Sequence, residues 1–187
     1  EPVDALAGRS GLSPVPLRRL PGEPTAGDVV QRAIASSVAR LLANDLAIRL
    51  RLGPEGVHQA RVATRRVRSD LRTVADLVDA DWAAALSGEL KWLADALGAV
   101  RDADVLGERL EHQLQRLEPE EAAVGRFTVD RLAASRAADV ATLDEVMASE
   151  RYVALLDRLV SAAAEPHLTE RAAGGAREVL DAIAARA

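Results

Sequence analysis

Proline occurs at few positions in this chain, and the long stretches between these positions are rich in alanine. Five of the eight prolines lie in residues 1–24, and the other three are Pro54, Pro119 and Pro166. Proline is tolerated in the first turn of a helix or between helices, but not in a helix interior. Aromatic residues make up only 2% of the chain, which disfavours a sheet of aromatic and β-branched side chains. The sequence therefore predicts an all-α fold.

Capping signals and apolar spacing divide the chain into a leader and six predicted helices. Residues 1–24 are interpreted as an irregular leader or linker because they are rich in proline and glycine. Thr25, followed by Asp28 three residues later, is the predicted N-cap of the first helix. The third helix is expected to be kinked or loosened at Gly98. The predicted helices cover residues 25–52, 54–78, 82–117, 119–147, 149–164 and 169–186.

The lengths of these helices predict their arrangement. The first four are long and joined by short turns, which is typical of an antiparallel four-helix bundle, here over residues 25–148. The last two helices are extra and have no partners of their own in such a bundle. Their apolar positions are therefore expected to be unpaired, and the positions concerned are Leu155, Leu156, Leu159, Val179, Leu180 and Ile183.

Several classes of protein are excluded by what the chain lacks. It has no cysteine, which excludes disulfides, thiolate metal ligands and cysteine nucleophiles. No apolar run approaches the roughly 20 residues that cross a bilayer, and the N-terminus lacks a secretory pattern. We therefore expect a cytoplasmic protein without a membrane partner. The net charge of −5 argues against general nucleic-acid binding.

One face of the second predicted helix nonetheless concentrates basic side chains. At 100° per residue, five of them fall within an arc of about 80°. An apolar set falls on the opposite side: Ala60, Ala63, Val67, Leu71, Val74 and Val78. Arg66 projects to the other flank, and Asp70 is the only acidic residue between positions 58 and 72. We name the residues of the arc the arginine stripe: His58, Arg61, Arg65, Arg68 and Arg72.

The arginine stripe predicts an anion-binding site. Acidic residues four positions away from these arginines would neutralise the charge of this helix face. Such acidic residues are nearly absent here, since Asp70 is the only one between positions 58 and 72. Guanidinium groups bind phosphate oxygens in bidentate pairs, so a row of them suits an extended, repeated phosphate better than one small ligand. The competing interpretation is a solvated face whose arginines pair with acids of neighbouring helices.

Residues 57–68 of this helix resemble the signature helix of the CHAD domain, the conserved histidine α-helical domain. A second block resembles the following helix of that family, and the resemblance covers residues 25–187. It implies a helical domain of two similar four-helix bundles whose basic surfaces bind inorganic polyphosphate. The leader resembles the linker that often precedes this domain. The second block consists of Leu90-Lys91-Trp92-Leu93, Leu97-Gly98, Arg101-Asp102 and Asp104-Val105.

The resemblance also implies roles for individual residues. Asp102 and Asp104 are expected to orient arginines, because carboxylates would repel a polyanion. A sulfate or phosphate ion is expected to occupy the same surface in crystals, and the protein to associate with polyphosphate granules. Polyphosphate-binding roles are implied for His58, Arg61, Arg65, Arg66, Arg68, Arg72, Lys91 and Arg101.

The latter half of the chain departs from the family pattern. Full domains carry a second helix with His and Arg residues there, and this chain has none. Residues 149–187 are therefore interpreted as the opening helices of a second, truncated bundle. The alternative is a half-length form that makes a homodimer through its unpaired C-terminal helices.

Neither catalysis nor metal binding is favoured by the sequence. A phosphatase or kinase needs a nucleophile, a carboxylate cluster for Mg²⁺ or a Gly-rich phosphate loop, and no such pattern is visible, so no catalytic residue or cofactor is predicted. His58, His112 and His167 are not spaced to share a metal ion. The predicted function is a non-catalytic polyanion-binding module. A helical protein–protein interaction scaffold is the alternative, and a metal-chelating domain is the less favoured one.

Overall fold

Six α-helices make up most of the part of the chain that the computed structural model describes, which is Val15 and residues 17–185. These residues form no β-strand, only two isolated β-bridges, so the all-α prediction is confirmed. Short 3-10 helices at Ala75–Leu77 and Glu170–Ala173 lie in the connections. The α-helices are α1 (Ala26–Arg49), α2 (Pro54–Thr73), α3 (Ala80–Leu114), α4 (Pro119–Ala148), α5 (Glu150–Ala164) and α6 (Ala176–Ala184).

Both ends of α1 follow from local sequence. The Thr25 hydroxyl accepts a hydrogen bond from the Asp28 backbone N–H at 3.1 Å, and the Asp28 carboxylate accepts one from the Thr25 backbone N–H at 2.8 Å. The predicted N-cap is thus confirmed, and the bond from the Thr25 backbone lowers the pKa of Asp28. Helix α1 ends at Arg49 and not at residue 52, because Arg51 (φ 52°) and Gly53 (φ 119°) turn the chain in left-handed conformations.

Helix α2 ends five residues earlier than predicted because a distant segment pairs with the residues that follow it. The backbone N–H of Asp79 donates to the carbonyl oxygen of His167 at 2.8 Å, and that of Thr169 donates to Leu77 at 3.0 Å. These bonds hold residues 77–79 out of the helix. Asp79 then caps α3, because its carboxylate accepts from the Trp82 backbone N–H at 2.8 Å.

Helix α3 is a continuous α-helix through Gly98, so the chain is not broken there, and a kink at this position stays a prediction. Gly98 is buried, and a Cβ atom built on it would lie 3.7 Å from the guanidinium carbon of Arg61. The glycine therefore marks the place where the Arg61 side chain lies against α3.

The core contains the last two helices as well as the first three. Leu155 and Leu159 of α5 are fully buried, and Val179, Leu180 and Ile183 of α6 pack against the same cluster. The expectation that these positions are unpaired is therefore wrong, and it no longer supports a homodimer through the C-terminal helices. Helix α4 adds mainly its last turns to this core, through Leu143 and Met147. The division of the chain at residue 148 stays a prediction.

Helix α5 is also fastened to α1 by polar groups. Tyr152 is only 2% exposed, and its hydroxyl donates to Asp45 Oδ1 at 2.7 Å. Asp45 also pairs with Arg49 at 2.8 Å. Burial, followed by the bond to Asp45, raises the pKa of Tyr152. The phenol therefore stays neutral and remains a donor to the carboxylate.

The segment before α6 joins the start of α1. The backbone N–H of Ala26 donates to Gly174, and that of Ala176 donates to Pro24, each at 2.9 Å. The single helix predicted over 169–186 is therefore divided, and its end at residue 186 lies outside the described residues. The predicted leader is described only at Val15 and from residue 17 onwards. Val15 is 2% exposed and belongs to the core.

Replacing Tyr152 with Phe should lower the free energy of unfolding by about 1–2 kcal/mol, because the variant removes a buried hydrogen bond to a carboxylate. Urea unfolding followed by circular dichroism measures the change. Val153→Ala is the matched control on the same helix. Val153 is 54% exposed, so its replacement should change stability by less than about 0.5 kcal/mol. Equal stabilities for Tyr152→Phe and the wild type would contradict the assigned role of Tyr152.

Candidate anion-binding site

Helix α2 buries one face completely. Ala60, Ala63, Val67 and Leu71 are each at most 2% exposed and lie in the core. Because these residues recur every three or four positions, their burial fixes the rotation of the helix about its axis. The opposite face of α2, which carries most of the arginine stripe, is thereby turned outward along α3.

An open groove of about 570 Å³ follows this outward face. We name it the arginine groove, because four of the seven side chains that line it are arginines and none is acidic. Sequence reasoning placed Arg66 on the other flank, but in the structure its long side chain reaches the same groove. The lining residues are Val62, Arg65, Arg66, Arg68, Ser69 and Arg72 of α2 and Ser87 of α3.

Most of the positive charge in the arginine groove is not neutralised. Within the described residues, no carboxylate oxygen lies within 4.0 Å of Arg65, Arg68 or Arg72. The Nε atom of Arg68 is buried and has no hydrogen-bond acceptor there. Arg66 is 4.0 Å from Asp70, and burial raises the pKa of Asp70 despite this arginine. The groove can therefore accept oxygen ligands that carry negative charge.

Other basic residues of the predicted site already have carboxylate partners. Arg61 donates to Asp102 at 3.0 Å and is 26% exposed. Lys91 pairs with Asp95 at 2.7 Å, one turn later on α3. Neither cation lines the arginine groove. Asp102 therefore orients an arginine of the stripe, but one that does not line the groove.

Asp104 faces α4 instead of α2. Its side chain is 6% exposed and accepts a hydrogen bond from Arg136. Asp104 therefore joins α3 to α4 and orients no arginine of the stripe.

Comparison with known proteins assigns the two motif-bearing helices to a family. A model of the CHAD domain matches residues 32–187. The chain belongs to the CHAD family. This match contains the whole of α2 and α3, and with them every residue of the arginine groove.

Relatives of this CHAD domain are longer proteins. The uncharacterized proteins Rv2226 and MT2285 from two strains of Mycobacterium tuberculosis are 36% and 35% identical over 140 residues. These matches cover 74% of this chain, which spans 27% of the length of each relative. Among solved structures, PptA from Streptomyces chartreusis superposes with a TM-score of 0.69 at 28% identity. That match covers 80% of this chain and 53% of PptA.

The remaining CHAD motif residues do not line the arginine groove. His58 and Arg101 are half-buried and are not among the lining residues. Trp92 lies under Arg151 of α5, whose guanidinium carbon is 4.2 Å from the ring centroid. Arg151 also pairs with Glu89 at 2.8 Å, and this bond lowers the pKa of Glu89. The tryptophan of the second block thus helps to hold α5 against α3.

Two serines of the groove were missed by the sequence reasoning. Ser69 falls at 20° when His58 is set at 0°, which is next to the arc of the arginine stripe. The same helical projection could therefore have predicted that Ser69 lies in the groove. Ser87 comes from α3, and its approach to α2 depends on how the two helices pack. Both hydroxyls add hydrogen-bond donors to a groove of cations.

Sites of two other kinds are not found in the part of the chain that the structure describes. No three His, Asp or Glu side chains there are arranged to hold a metal ion. None of the helices there has both the length and the apolar character needed to span a membrane.

The different surroundings of Asp102 and Asp104 predict different effects on stability. Asp104→Ala should lower the free energy of unfolding by about 1–3 kcal/mol, because it removes a buried carboxylate paired with Arg136. Asp102 has a side chain that is 75% exposed, so Asp102→Ala should cost less than about 1 kcal/mol. Chemical unfolding of both variants under one set of conditions makes the comparison. A larger loss for Asp102→Ala would refute this assignment.

Proposed function

We propose that this CHAD domain is a non-catalytic module that binds inorganic polyphosphate in the arginine groove. The observation that carries the proposal is the set of four arginines lining one groove without an acidic residue among its lining residues. The family membership of the chain supports the same ligand. A cytoplasmic location, at polyphosphate granules, is part of the proposal.

The groove suits a ligand with repeated charge. Arg65, Ser69 and Arg72 follow one another along the same face of α2, and their Cα atoms span roughly 10 Å of the helix axis. A chain of linked phosphates can contact several of these groups at once, whereas a single phosphate can contact only one or two. Each bidentate contact between a guanidinium and phosphate oxygens is a charge-assisted hydrogen bond, stronger than a neutral one.

The same lining disfavours nucleic acid. Proteins that bind single strands place aromatic side chains where successive bases can stack. The arginine groove has no aromatic lining residue, and Val62 is its only apolar one. The net charge of −5 also opposes a long duplex outside the groove. Phosphate groups without bases therefore fit the groove better.

A triple variant tests the proposed site. Arg65→Ala, Arg68→Ala and Arg72→Ala together should weaken polyphosphate binding by roughly 100-fold, because about three charge-assisted contacts are lost. Arg109→Ala, Arg116→Ala and Arg126→Ala together are the matched control, since they remove the same charge from exposed positions far along the chain. Calorimetry gives the affinities, and circular dichroism checks helicity. Equal losses in both triple variants would exclude the groove as the site.

The affinity should also depend steeply on salt. If the four groove arginines each contact a phosphate group, the logarithm of the binding constant should fall with the logarithm of salt concentration with a slope of about −3. Calorimetric titrations between low and high salt measure this slope. A protein–protein scaffold, the alternative function, would retain its partner and show no binding to polyphosphate in the same titrations.

A further inference from the structure

Helix α4 has an outer face that no other described residue covers. Its inner side faces α3, where Leu132 approaches Gly107 and Arg136 pairs with Asp104. Phe127 lies about 140–180° away from these two residues around the helix. It is the only phenylalanine of the chain and is 67% exposed. An exposed aromatic ring offers a large apolar area to a partner that covers it.

The residues around Phe127 form a continuous stripe on the outer face. At 100° per residue they fall within an arc of about 100° and extend over roughly 22 Å of helix. All of them are exposed. Asp130 and Arg131, at the centre, have no oppositely charged group within 4.0 Å among the described residues. We name the stripe the α4 outer face: Ala123, Phe127, Asp130, Arg131, Ala134 and Ala138.

This stripe is complementary to a reversed copy of itself. When two α4 helices run antiparallel about an axis between positions 130 and 131, Asp130 lies opposite Arg131 in both directions. In the same register Phe127 lies opposite Ala134, so a large side chain meets a small one. The alanines at 123 and 138 then lie opposite each other and permit close approach of the helices. A parallel pair would instead place Asp130 against Asp130.

We propose that the α4 outer face is the interface with a second copy of this chain. In a two-fold symmetric contact every pair of facing residues occurs twice, once in each direction. The stripe suits such a contact because Asp130 faces Arg131 and Phe127 faces Ala134 in both directions. An unrelated partner would not require such self-complementarity. The proposal is independent of polyphosphate binding, and it places dimerisation on α4 and not on the C-terminal helices.

Sedimentation equilibrium without polyphosphate tests the proposal on the 187-residue chain. The wild type should have twice the mass of a single 19.8 kDa chain. Phe127→Asp should be monomeric with unchanged helicity, since it places a carboxylate in the interface. Val153→Asp, at a 54% exposed position on α5, is the control and should stay dimeric. A monomeric wild type, or a dimeric Phe127→Asp variant, would overturn the proposal.

A charge exchange tests the register. Asp130→Arg alone, or Arg131→Asp alone, places two like charges opposite each other at both symmetric contacts between positions 130 and 131. Either variant should therefore weaken association at least 10-fold. The double variant with both changes restores an acid opposite a base and should recover most of the wild-type affinity. Thermal unfolding of all three variants checks that the fold is retained. Failure of the double variant to recover association would refute the antiparallel register.

Orientation can be measured separately, because the chain has no native cysteine. A spin label attached through Thr142→Cys, an exposed position beyond the α4 outer face, should lie roughly 35 Å from its copy along the axis of an antiparallel pair. In a parallel pair the two labels would be separated only by the roughly 10 Å between packed helices. A short distance would contradict the proposed arrangement.

Discussion

The burial of four small and apolar residues on α2 determines where the charge of this CHAD domain is displayed. Ala60, Ala63, Val67 and Leu71 lie in the core, and no rotation of the helix could bury them and also turn the groove arginines inward. The arginine groove is therefore held by packing and not by contacts between its own charges. A site of mutually repelling cations needs support of this kind, because the repulsion itself opposes the arrangement.

Two groups of arginines in this chain have different surroundings. Arg61, Arg136 and Arg151 each pair with a carboxylate of another helix, and they join α2, α4 and α5 to α3. Arg65 and Arg68 have no such partner among the described residues and lie in the groove. The net charge of −5 thus coexists with one basic surface, because no acidic residue lines the groove.

Features encoded within one helix could be predicted from the sequence, whereas features that join distant segments could not. The capping box at Thr25 depends on residues three positions apart, and the outward face of α2 depends on helical periodicity. The early end of α2 depends on backbone hydrogen bonds with residues near His167. The residues at the end of α2 contain no sequence pattern that predicts these bonds. Leu155 was judged unpaired for the same reason. Ser87 joins the arginine groove only because α3 packs beside α2.

The backbone bonds that connect Ala26 with Gly174, and Pro24 with Ala176, join positions about 150 residues apart, and such non-local contacts form slowly in folding. On the ribosome, α1 and α2 emerge long before Gly174 is synthesised. The start of α1 therefore remains without these partners until residues 174–176 have been synthesised. The contact between the start of α1 and the segment before α6 therefore forms late, and the part of the core that α5 and α6 cover stays exposed until these helices are made.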